Sequence, residues 1–352
     1  MTAMPRSDGL SNLLRRMPKV DLHCHLIGAL RQSTVVELAQ VHAVPLPRPA
    51  ASLYEFSTFE NFIDALRLAA MVLRTRDDFD RAVYEVLEDA AVAGNLVHAE
   101  IMFNPQYHYA AGLTYKDMVL GLRDGLERAR GQLGVSGLLV ACIDRQIVPT
   151  AALEVLDDVL SHRCDLVAGV GIDGPEGAGP PQLFAEFFAR AGRAGLRRTA
   201  HVCEDNQPLN LAPPAHYAIC RDLLGCDRLD HGYNLLADGD AVRRAADDGL
   251  FFNVCTVTSA AHNRDRRMES IGRMREAGLR LTLNTDDPAM FKTDIAASYT
   301  ALFDRLEWGE AEAREMGLAG IEASWLAEAA KGALRSRFLD EFARLTNEVG
   351  HA

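Results

Sequence analysis

Short, continuous apolar runs recur along the chain at 19–23, 95–103, 137–143, 166–172, 198–201, 228–231, 250–255 and 279–284. Brief runs without polar alternation are what strands buried on both faces of a parallel sheet look like. Longer stretches of helical periodicity lie between most of them. Phe59, Phe62, Ile63, Leu66, Ala69, Ala70 and Leu73 share one helical face, and Leu183, Phe184, Phe187 and Phe188 do so more crudely. Eight strand-then-helix units in 352 residues predict one α/β domain spanning residues 1–352, folded as a (β/α)8 TIM-like barrel. Residues 28–94 are too many for one crossover helix, so two or three helices are expected there, over the top of the barrel where a lid would sit. The stretch after Glu322 reads as helical and is expected to pack on the outside.

Composition narrows the class. With 48% hydrophobic and 24% charged residues the chain is an ordinary globular one, not disordered, collagenous or a coiled coil. No apolar run approaches the roughly 18 to 20 residues of a membrane helix, and no apolar segment follows the arginines of residues 1–17 as a leader peptide requires. A formal charge of −12 opposes tracking of a phosphate backbone, so no nucleic-acid partner is expected. Seven cysteines, odd in number and scattered, do not form a disulfide framework. These features predict a soluble, cytoplasmic protein without a membrane partner. The pattern specifies no oligomeric state.

The chemistry lies where histidines and carboxylates meet the strand ends. His23 and His25 close the first run, and residues two apart on a strand share a face. His201 ends the fifth run and His231 the sixth, while Asp286 and Asp287 follow the eighth. All are at C-terminal strand ends, where barrels carry their active sites. Each has an ordinary explanation alone: a solvated His-x-His pair, a strand-end histidine, an Asp-Asp-Pro turn. Converging on one mouth, they are costly to desolvate without a cation between them. Neutral imidazoles with a carboxylate suit zinc, ahead of iron or cobalt. The expected ligands are His23, His25, His201 and Asp286 around one Zn2+ per chain, with water completing the shell. No strand-end lysine offers itself as the bridge to a second metal. Such an ion makes a nucleophile of its water near neutral pH. Glu204, in His201-Val202-Cys203-Glu204, is then the candidate proton shuttle, and a dry pocket would raise its pKa. Taken alone it would be an acid at a helix N-terminus. His231 is assigned to orienting the nucleophile.

Other signals carry less. Gly169-Val170-Gly171-Ile172-Asp173-Gly174 matches a dinucleotide-binding expression, but Pro175, Pro180 and Pro181 bar a helix at its third glycine, and the segment is expected to be a flexible pocket wall. Cys24 and Cys203 are expected as small buried hydrophobes. Neither Cys-x-x-Cys nor His-Glu-x-x-His occurs, which excludes the cytosine-type zinc deaminases and the zincin proteases.

Val20-Asp21-Leu22-His23-Cys24-His25-Leu26, His201-x-x-Glu204, Asp230-His231-Gly232-Tyr233 and Asn284-Thr285-Asp286-Asp287-Pro288 together resemble the adenosine deaminase family of the amidohydrolase superfamily. The resemblance spans residues 19–300. It implies a zinc-dependent hydrolytic deaminase of 6-aminopurines, such as adenosine or an adenosine-like nucleoside, that releases ammonia. Carried over, His23, His25, His201 and Asp286 resemble the zinc ligands and Glu204 the donor of a proton to N1. His231 resembles the residue that orients the hydroxide attacking C6, and Asp287 the partner of purine N7. Gly174 is taken as the glycine meeting N3. Ile27 stands where the family carries an acid, in His25-Leu26-Ile27-Gly28, and cannot accept a hydrogen bond from a sugar hydroxyl. Glu100-Ile101-Met102-Phe103-Asn104-Pro105-Gln106 and Gly171-Ile172-Asp173-Gly174-Pro175-Glu176 resemble the adenine deaminase branch instead. Thr256-Val257-Thr258-Ser259 departs from the family's Pro-x-Ser-Asn, Val202-Cys203 from its Ala-Gly, and His162-Arg163 fits no motif of the family. The alternatives are therefore an adenine deaminase, an aminohydrolase of 5′- or N6-modified adenine nucleosides, and a catalytically inactive metal-binding barrel.

Overall fold

A computed structural model describes residues 8–57, 59–257 and 264–350. Its strands are all parallel: β1 (Lys19–His25), β2 (Leu96–Phe103), β3 (Ser136–Asp144), β4 (Val167–Asp173), β5 (Arg197–Arg198), β6 (His201–Val202), β7 (Leu229–His231), β8 (Phe251–Cys255) and β9 (Arg280–Asn284). They pair as β1-β2-β3-β4-β5 and β6-β7-β8-β9. Backbone bonds join the two sets, Thr199 N–H to Val170 O (3.0 Å) and Asp230 N–H to Ala200 O (2.9 Å). Thus β5 and β6 are two pieces of one barrel strand, interrupted at 199–200. The other seam closes where His25 N–H donates to Asp286 O and Asp286 N–H to His23 O, both at 2.9 Å. The result is the expected eight-stranded barrel.

Three helices fill residues 28–94: Gln32–Val41, Phe59–Val72 and Arg76–Gly94. The last is the crossover to β2. It begins with a capping box between Thr75 and Asp78 and ends at left-handed Asn95 (φ 53°). The first two are the insertion. Aromatic contacts from Tyr54 to Phe56 (6.3 Å), Phe56 to Phe62 (5.5 Å) and Phe62 to Phe291 (5.2 Å) tie it to the loop after β9, at the mouth.

Two expectations change. Gly169 and Gly171 belong to strand β4, not to a flexible wall. A Cβ on Gly169 would come 2.6 Å from the Trp325 ring, and one on Gly171 2.6 Å from Cys142 Sγ, so these glycines make room inside the barrel. The chain after Glu322 is also not wholly outside. Helix Glu328–Gly350 packs on Asp8–Arg16 and Glu310–Ala323. Before it, Trp325 enters the barrel at the N-terminal ends of the strands. There its N–H donates to Glu100 Oε1 (2.5 Å) and its ring stacks under Arg228, whose guanidinium is 3.8 Å from the ring centre. Arg228 pairs with Glu100 Oε2 at 2.6 Å, both wholly buried. Close by, buried Lys19 donates to the carbonyls of Arg15, Met17 and Gly94. Cys24 and Cys203 are buried as expected, and His162 and Arg163 cap and tie the end of helix Pro149–Ser161. Thr258 and Ser259 lie outside the described residues.

Candidate active site

β1 presents His23 and His25, β6 His201 and β7 His231, and Asp286 follows β9 directly. The imidazoles form a tight cluster, with ring centres of His23 and His201 4.6 Å apart, His23 and His231 4.8 Å, and His25 and His201 5.1 Å. Nε2 of His25 and Nε2 of His201 face each other at 3.1 Å. Asp286 Oδ1 lies 3.3 Å from His23 Nε2 and 3.5 Å from His25 Nε2. The four predicted ligands are therefore together, with His231 beside them. Cys255, at the end of β8, also offers its sulfur close to His23 and Asp286. The backbone is strained to achieve this: Cys203 (φ 51°), His231 (φ 70°) and Asp286 (φ 67°) all adopt the left-handed conformation.

These donors fit a divalent cation. His23 is wholly buried, and its Nε2 has no hydrogen-bond partner among the described residues. Burial, reinforced by neighbouring His23, lowers His25 to about 4. The same two causes hold His201 and His231 well below the usual histidine range, so all three keep lone pairs to donate. For His23 burial acts the same way, but Asp230 and Asp286 outweigh it and push the imidazole well above its ordinary value. An imidazole set between two carboxylates marks a place that calls for positive charge. Burial works to raise Asp286, yet adjacent His23 and the surrounding imidazoles keep it an anion. Neutral His25 and His201, His23 drawn toward carboxylates, and the Asp286 carboxylate are donors of the kind zinc takes, with neutral His231 beside them. Asp230 orients it: Oδ1 is 3.1 Å from His23 Nδ1 and Oδ2 3.7 Å from His201 Nδ1, while Thr199 (2.7 Å) and Asn253 (2.8 Å) donate to the same carboxylate.

Glu204 comes next to this cluster because the left-handed turn at Cys203 redirects the chain as it leaves β6. Oε2 of Glu204 is 3.8 Å from His231 Nε2 and accepts from Asn206 (2.7 Å), while Oε1 accepts from Arg267 (3.0 Å). Burial pushes the carboxyl up to about 7, against the pull of Arg267 and with help from Asp286 and Asp205. A carboxyl so poised can hold and release a proton near neutral pH. Its backbone N–H donates to buried Glu176 (3.0 Å), which His216 Nδ1 meets at 2.7 Å.

The remaining predicted residues follow β1, β4 and β9. Asp287 is buried, and burial followed by the charge of Asp286 pushes its carboxyl well above the usual range, toward a form that can donate a hydrogen bond. It lies against Gly28, where a Cβ would come 1.7 Å from Asp287 Oδ1, so no other residue fits there. Gly174 follows β4 with φ 82°, beside Asp144. Ile27, in the short turn Ile27–Ala29, is half-buried and packs on the apolar core. Asp173, held by Asn104 at 2.8 and 3.1 Å, lies 3.9 Å from His25.

Sequence reasoning assigned no role to four of these residues. Asp230, Asp173 and Glu176 sat inside quoted motifs, where adjacency to a ligand or a strand end was the available signal. Arg267 lies in an arginine-rich helix start and gave none.

The model of the family described as adenosine deaminase matches residues 18–341. The chain belongs to the adenosine deaminase family. Within that family it is 35% identical to an adenine deaminase of Trichlorobacter lovleyi, covering 97% of each chain. It is 34% identical to an adenine deaminase of Cupriavidus taiwanensis, covering 90% of each. Among solved structures, an amidohydrolase from Burkholderia ambifaria with bound zinc superposes with a TM-score of 0.91 at 31% identity, over 100% of this chain and 97% of that one. An adenine deaminase from Arthrobacter aurescens gives 0.85 at 30% identity, over 94% and 99%. Like other members of the adenosine deaminase family, this chain is a metal-dependent hydrolytic deaminase with an amidohydrolase barrel. No helix among its described residues is long and apolar enough to cross a membrane.

Proposed function

We propose that the protein is a zinc-dependent adenine deaminase that converts adenine and water to hypoxanthine and ammonia. The observation that carries this reading is the buried convergence of His23, His25, His201 and Asp286 beside a carboxyl, Glu204, poised near neutrality. Those four side chains would hold one zinc ion per chain, which would supply a water acidic enough to act as a nucleophile. Glu204 delivers its proton to N1 of the base, which makes C6 electrophilic. His231, 3.8 Å from Glu204, orients the attacking water toward C6. Asp287 donates to N7 and the Gly174 N–H to N3, fixing the plane of the ring. The proton of the new C6 hydroxyl then passes to the amino group, which leaves as ammonia, and Glu204 regains from the attacking water the proton it gave to N1.

Two observations favour the free base over adenosine. The relatives at 34–35% identity are named adenine deaminases, and apolar Ile27 offers no acceptor to a ribose hydroxyl. The test is ammonia release by zinc-loaded protein from adenine, adenosine, 5′-deoxyadenosine, 5′-methylthioadenosine and an N6-alkyladenine. Turnover of adenine well above the nucleosides is expected. Preference for adenosine would overturn the substrate assignment, and silence on the whole panel at one zinc per chain would overturn the activity.

A further inference from the structure

We propose that Arg267 is the positioning residue of the proton donor, fixing Oε1 of Glu204 so that the transferable proton is carried by Oε2. The inference rests on the reading of Glu204 as that donor. Arg267 belongs to the helix Arg264–Glu276, and its side chain is only 1% exposed. The guanidinium is fully engaged. Nη1 donates to Val257 O (2.9 Å), Nε and Nη2 to Asp205 Oδ1 (2.9 and 2.5 Å), and Nη2 also to Glu204 Oε1 (3.0 Å). The ring of Tyr233 backs it at 4.6 Å, and the Tyr233 hydroxyl is itself pinned by the backbone of Cys255 at 2.8 and 2.9 Å. Such a planar fork joins the end of β8, the loop after β6 and the helix in one geometry, which a lysine with its single point charge does not reproduce.

The consequence for the reaction is one of proton placement. A guanidinium does not give up its proton at any working pH, so Oε1 always accepts from it and has no need to carry a proton. Oε2 meets only the neutral amide of Asn206 (2.7 Å), which leaves it free to carry the proton, and it is the oxygen that lies 3.8 Å from His231. The charged and titratable groups facing the carboxyl are Arg267 from its helix, Asp205 from its own loop, His231 at the end of β7 and Asp286 after β9. Arg267 is the fixed cation among them.

The experiment compares Arg267→Met and Arg267→Lys with the parent, each zinc-loaded and checked for metal content and melting temperature. The Arg267→Met exchange is expected to lower kcat on adenine about 100-fold, within the range of a misplaced general acid, with KM little changed, and Arg267→Lys to recover part of the loss. In the Glu204→Gln background Arg267→Met should cost nothing further. A second readout is independent of turnover: the 13C carboxyl resonance of Glu204, assigned by its loss in Glu204→Gln, should titrate about one unit or more higher in Arg267→Met. A loss matched by lost zinc or lost fold, a full additional loss on top of Glu204→Gln, or an unmoved Glu204 titration would overturn the proposal. A parent protein silent on adenine whose Glu204 still titrates higher in Arg267→Met would overturn the substrate reading while upholding the role of Arg267.

Discussion

Both ends of the barrel bury charge, and they do it in opposite ways. At the floor, Glu100 is matched by one cation, Arg228, which Trp325 covers, and Lys19 has three carbonyl acceptors. The left-handed residue there is Asn95, a type suited to that conformation, whose side chain is anchored to Arg16 O at 2.6 Å. At the mouth, Asp173, Asp230, Asp286, Asp287 and Glu204 crowd around imidazoles, most of them held neutral. Cys203, His231 and Asp286 are left-handed there, each on a residue that carries or adjoins a functional side chain. The floor balances its charges within the protein, whereas the carboxylates and imidazoles of the mouth call for a cation between them. Local rules are kept where the barrel needs stability and broken where it does chemistry.

The sharpest way to separate the two ends is Glu204→Gln, which should reduce kcat by about 10² to 10⁴ while leaving the melting temperature nearly unchanged. If stability fell in step with activity, Glu204 would be a structural group like those of the floor. The complementary change is Arg228→Met. It strands Glu100 and should cost about 3–5 kcal/mol in urea unfolding, yet the molecules that remain folded should turn over at the parental kcat. Removal of zinc comes next. Relative to protein with free zinc at a hundredfold the dissociation constant, the metal-free chain should lose about 2.7 kcal/mol and all deaminase activity, both restored by adding zinc back. A metal-free protein of undiminished stability would show that the mouth holds itself together as the floor does. A smaller effect is expected from pH. Glu204 is raised above its ordinary value to about 7 and must be protonated to act, so kcat should be full below that pH and fall as pH rises through it, by about tenfold per unit. Least of all, Ile27→Glu introduces an acceptor where the family carries an acid and should improve kcat/KM for adenosine relative to adenine by up to about tenfold, the value of one hydrogen bond.

What could be read from the chain follows the same division. His23, His25, His201, His231 and Asp286 were legible because strand periodicity and the polarity of a parallel barrel place every strand end on one rim. The floor was not. Trp325 sits between two helices with nothing local to say that it turns inward, and Gly169 looked like loop flexibility until the ring that needs its space was seen. The same limit hid Arg267 and Glu176, which reach Glu204 from the helix after β8 and the loop after β4. Periodicity reports which face a residue occupies, not which distant side chain it will meet. The interruption of the fifth strand at 199–200 was equally unreadable, since an apolar run has the same appearance whether or not the ladder beside it is continuous.

The seam between His23–His25 and Asp286 gives the fold a property of timing. The two backbone hydrogen bonds that shut the barrel join His23 and His25, near the start of the chain, to Asp286, near its end. A ribosome has released His23 and His25 long before Asp286 exists, so the nascent chain holds half a ligand set and an open edge on β1. Loading of the ion and sealing of the barrel thus become a single late event. A chain truncated before Asp286 would lack both the fourth predicted ligand and the hydrogen bonds that cover this edge of β1.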